Sequence, residues 1–108
     1  MHRERIPPPA PTITRPEANA SIEGHGTTFY IMPCQDAIGV EIEISKEGEA
    51  PMINAEASPT IHGLWGVRLS QNLGLGYYVV KARQTLGGGV PSGWTGGVPF
   101  RVGVPPKP

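Results

Sequence analysis

The chain has a single cysteine, Cys34, so it can build neither an internal disulfide framework nor a four-cysteine metal site. Its expected role is that of a small, partly buried apolar filler. An excess of either charge is also missing. Nine basic residues balance nine acidic ones, which removes the long-range field that would draw the chain onto nucleic acid or anionic lipid. No apolar run approaches the roughly 20 residues needed to cross a bilayer. The opening MHRERIPPPAPTI lacks the roughly 7 to 15 apolar residues of a signal-peptide core. Neither membrane insertion nor standard secretion is expected. Helical periodicity is the last absence: no window repeats its apolar residues at spacings of three and four.

Strand alternation is present instead. In LGLGYYVVKARQTLGGGVPSGWTGGVPFRV, Leu73 to Val102, inward residues recur with period two at Tyr78, Val80 and Ala82, with Lys81 and Arg83 on the other face. Val98, Phe100 and Val102 repeat the pattern. Val40, Ile42 and Ile44 alternate with Glu41, Glu43 and Ser45, and Trp65, Val67 and Leu69 share one face. Thr27 to Met32, TTFYIM, has the β-branched and aromatic composition of a buried strand. Thr12 to Thr14, Ala20 to Glu23 and Met52 to Ala55 are shorter candidates, the last at a sheet edge.

With 15 Gly and 13 Pro in 108 residues, turns separate these segments every eight to twelve residues. The expectation is an all-β, immunoglobulin-like Greek-key β-sandwich of about seven strands, in one domain. Residues 1–10 form an extended Pro-rich N-terminal arm, 11–104 the sandwich, and 105–108 a Pro-rich C-terminal tail, since polyproline favours extended structure over a core strand.

The segments Pro11-Thr12-Ile13, Ala20-Ser21-Ile22-Glu23-Gly24, AIGVEIEI, GLWGVRL, LGLGYYVVKARQ and SGWTGGVPFRV, spanning about residues 10 to 104, resemble in order and spacing the bacterial immunoglobulin-like (fibronectin type III-like) modules. Such modules are strung along large surface proteins and occur on phage virion proteins. The resemblance implies that Tyr78 is a tyrosine corner, its hydroxyl tying a loop to the start of the penultimate strand. The chain departs from the antibody type in lacking the paired cysteines and in carrying its strand tryptophan in GLWGVRL.

Motifs of chemistry are sparse. Glu41 and Glu43 share a face, the solvated one, where carboxylates keep a sheet soluble. His2, His25 and His62 have no metal-ligand spacing. Leu86-Gly87-Gly88-Gly89 lacks both the phosphate-loop pattern and a following helix, and no GxSxG elbow occurs. No catalytic residue, cofactor or metal is therefore expected.

The candidate partner-binding residues are Ile6, Pro7, Pro8 and Pro9 in the N-terminal arm, Tyr77 on the outer face, Trp94 in the loop before the last strand, and Pro105 and Pro106 in the tail. Trp94 has two readings, a cap on the end of the core or an interface anchor. The expected function is non-enzymatic: a phage virion accessory protein, of capsid-decoration or tail-associated type, located in the virion and docking on other virion subunits through stiff Pro-rich arms. The alternative is one repeat of a bacterial surface adhesin at the cell surface, with neighbouring domains as partners. A third reading is a carbohydrate-binding sandwich that stacks Tyr77, Trp94 and Tyr30 on a cell-surface glycan. Self-association within an assembly is a further option.

Overall fold

The computed structural model describes residues 9–34, 36–60 and 62–107. Among them there is no helix, and eight strands follow in order: β1 Thr12–Arg15, β2 Ala20–Ile22, β3 Thr28–Met32, β4 Ala37–Lys46, β5 Pro51–Pro59, β6 Trp65–Arg68, β7 Gly76–Leu86 and β8 Val98–Val102. The all-β expectation holds, with eight strands where about seven were expected. They hydrogen-bond in the order β1-β3-β6-β5-β4-β7-β8-β2. Neighbours run antiparallel except β2 and β8, which pair in parallel through Ala20↔Phe100 and Ile22↔Val102.

The sheet curls because β5 serves both halves. Pro51 to Ala57 pair with β4, whereas Ser58 and Pro59 pair with Gly66 and Trp65 of β6. This corrects the expected short edge strand over Met52–Ala55: β5 is nine residues long and has a strand on either side. Its inward positions after Ile53 are the small residues Ala55 and Ala57, which carry too little apolar weight to extend a visible alternation.

Curling brings β3 face to face with β8. The rings of Phe29 and Phe100 meet edge-on, with centroids 5.6 Å apart, and Tyr78 stacks on Phe100 at 5.5 Å. Around them lie Ile31, Val40, Ile42, Ile44, Val80, Ala82 and Val102, all buried. Each large side chain here contributes about 1.5–3 kcal/mol relative to exposure. Of the residues that alternation placed inward or on one shared face, Val67, Tyr78, Val80 and Phe100 are buried in this core, and Trp65 packs half-buried against it.

The crossover from β6 to β7 is held at two points. Tyr78 Oη donates to the Gly74 carbonyl over 2.8 Å, and Leu73 N–H donates to Gly24 O over 2.6 Å. The Tyr78 bond is the contact that the tyrosine-corner resemblance implied.

Candidate functional site

The sites of interest lie at the two ends of β7, where the Pro-rich segments meet the sheet. Tyr77 precedes the inward Tyr78, so alternation sends its ring to the outer face. There it is half-buried, because the chain turns after β8 and returns over it. Gly103 makes that turn at φ 64°, a left-handed conformation that favours glycine.

Tyr77 Oη donates to the Pro105 carbonyl oxygen over 2.6 Å. The Lys107 ammonium stands 4.8 Å from the centre of the Tyr77 ring and pairs with Glu47 in the β4–β5 turn. Two of the candidate residues, Tyr77 and Pro105, are thus brought into direct contact. Pro106 lies beside them and, with Asn19, Pro99 and Arg101, lines a depression of about 340 Å³. Asn19, at φ 65°, is fixed there: its N–H donates to Pro99 O over 2.7 Å, and its carbonyl accepts from Arg101 Nη1 over 2.6 Å.

At the other end of β7, Gln84 continues the inward phase of Tyr78, Val80 and Ala82 and is fully buried. Its amide is a junction. Oε1 accepts from Cys34 N–H over 2.8 Å, while Nε2 donates to Pro9 O over 2.6 Å and lies 3.0 Å from Cys34 Sγ. Gln84 N–H donates to Ser92 Oγ over 3.0 Å. Pro9, a candidate docking residue, is therefore fastened to the sheet through its carbonyl, although its side chain is exposed. Ile6, Pro7 and Pro8 lie outside the described residues.

Trp94 does not take the first of its two expected positions, a cap on the core. It does not belong to the core or to the side chains packed against it; it lies half-buried on the outer face, its ring 4.6 Å from Arg83 Cζ. Its loop is laced along β7, with Thr95 N–H donating to Ala82 O over 2.8 Å and Ser92 N–H to Gln84 O over 2.7 Å. Arg83 in turn pairs with Glu41. Glu41 and Glu43 are both half-buried, not fully in water as expected. Tyr30 lies on β3, beside Arg15 and Leu64, so Tyr30, Tyr77 and Trp94 do not form one stacking platform.

His25 and His62 are exposed; His2 is outside the described residues. Among the described residues no three His, Cys, Asp or Glu side chains converge. Sequence reasoning passed over Gln84, Glu47 and Lys107. Gln84 carried a signal, a polar residue on a buried phase that must find partners; Glu47 and Lys107 carried none.

No protein-family model matches the chain, and no curated protein does. Among solved structures, an engineered protein is similar with a TM-score of 0.68 at 18% identity over 90% of this chain; the chain spans 20% of that protein's length. CopC from Methylosinus trichosporium OB3b is similar with a TM-score of 0.61 at 16% identity, over 85% of this chain and 92% of CopC. At such identities the likeness is one of all-β fold.

Proposed function

We propose that the chain is an immunoglobulin-like Greek-key β-sandwich module that joins protein surfaces without catalysis, and that it serves as an accessory subunit of a phage virion. The sandwich reading is supported by the strand that passes between the two halves of the sheet, by the rings packed between those halves, and by the Tyr78–Gly74 bond at the entry to the penultimate strand. The observation that carries the functional reading is the placement of the two Pro-rich segments. Pro9 is held at Gln84 and Pro105 at Tyr77, seven positions apart on β7, or about 23 Å along the strand. The segments are therefore fastened at opposite ends of β7, in a molecule whose longest extent is 54 Å, and each can reach a different neighbour.

The same placement favours a second reading, one repeat of a bacterial surface adhesin, since modules with ends at opposite poles string head to tail. Mass spectrometry of purified virions and of cell envelopes from the source separates the two. The virion reading expects an intact chain of 108 residues in the particle. Recovery only of envelope peptides that continue past either end would replace it with the adhesin.

A further inference from the structure

Resting on the reading as a docking module, we propose that the surface around Tyr77 is a receptor for a proline-rich segment, and that within an assembly its occupant is the C-terminal segment, residues 103–107, of a second copy. The chain's own tail defines the chemistry of the fit. A phenol hydroxyl donates to a carbonyl of an extended Pro-Pro run, the bonding by which aromatic grooves take polyproline helices. A lysine that follows the run lies over the same ring and meets a carboxylate. Nothing in this set requires that tail and receptor belong to one molecule. The connection to β8 is short and turns at Gly103, so the same contacts can be made in exchange between two copies, as in domain swapping.

Concentration decides which arrangement prevails. A tail on a short tether sees its own receptor at an effective concentration of roughly millimolar, so a free copy closes on itself. Copies docked side by side meet at comparable local concentration, and exchange then links them through contacts the chain already possesses. The depression beside Pro106, bounded by Asn19, Pro99 and Arg101, leaves room for a tail approaching from outside.

Charge reversal in the full-length chain tests this. The Glu47 and Lys107 side chains are 51% and 53% exposed, so Glu47→Lys and Lys107→Glu leave the fold intact, yet each alone opposes like charges between receptor and tail. In an equal mixture both tails find matched receptors only by exchange. Sedimentation velocity up to about millimolar concentration should show the mixture associating roughly fivefold more strongly than either variant alone, from two restored exposed pairs. Tyr77→Phe in both chains should weaken that association. A mixture as monomeric as its separate components would overturn the exchange and leave the tail a strap on its own module. Equal self-association of each variant alone would place the contact elsewhere and overturn it as well. Particle composition, which decides the virion reading, is untouched by either result.

Discussion

Gln84 shows what one residue on an unexpected phase controls. The alternation Tyr78, Val80, Ala82 fixed its side chain as inward, and burial of an amide demands partners for both its oxygen and its nitrogen. Sequence alone could not say that these are Cys34 and Pro9, which lie 50 and 75 positions away. Gln84→Leu, similar in size but without polar atoms, would leave the half-buried Cys34 N–H unpaired and release Pro9. It should lower stability by about 1–3 kcal/mol, read from the urea midpoint at unchanged slope. The carboxylates of β4 separate at the same scale. Glu41→Gln removes the pairing with Arg83 and should cost at most about 1 kcal/mol, with the loss shrinking in high salt. Glu43→Gln, which forms no ion pair among the described residues, should be neutral by the same denaturation measurement. Both had been expected to behave alike, because alternation gives the face of a side chain and not its partner.

Strands were legible where apolar residues alternate with charged ones, as in β4, β7 and β8. They were less legible where alanine takes the inward position, which is why β5 reads short. The sheet order was beyond periodicity altogether, since pairing depends on crossovers whose closing contacts join distant residues. The β6–β7 crossover is the clearest case. It is pressed so close to the turn after β2 that a Cβ on Gly24 would stand 2.2 Å from the Leu73 carbonyl oxygen and 3.2 Å from Val102 Cγ1. The obstructing atom is backbone and cannot swing aside. Gly24→Ala must therefore push the crossover outward, weakening the Leu73–Gly24 hydrogen bond and the packing of buried Leu73. The expected loss is about 1–3 kcal/mol, with the earliest rise in hydrogen exchange at the Leu73 amide. An unchanged melting curve would show that the crossover has slack the geometry denies it.

For the molecule as a unit, composition marked the Pro-rich ends, but the attachment of Pro105 was not legible, because a hydrogen bond between Tyr77 and a backbone carbonyl 28 positions away leaves no trace in sequence. That attachment has a consequence for any chain in which copies follow one another. The segment after β8 is held as far as Lys107 at the pole of the β4–β5 turn, while Pro9 is held at the pole of Gln84. A following copy therefore starts at the end of β7 opposite the one that holds Pro9, which favours an end-to-end over a side-by-side arrangement. Two copies joined end to end in one polypeptide should then form an elongated particle. With each body 54 Å long and a Pro-rich joint that adds up to about 3 Å per residue, the maximum dimension in small-angle X-ray scattering should exceed about 100 Å. Tyr77→Phe combined with Lys107→Ala in the first copy removes the tail's phenol bond and its ion pair, and should broaden the distance distribution at the joint without changing the scattering of the individual bodies. A compact tandem, with a maximum dimension near that of one module, would mean that the poles do not direct the ends. The head-to-tail arrangement would then lose its physical basis.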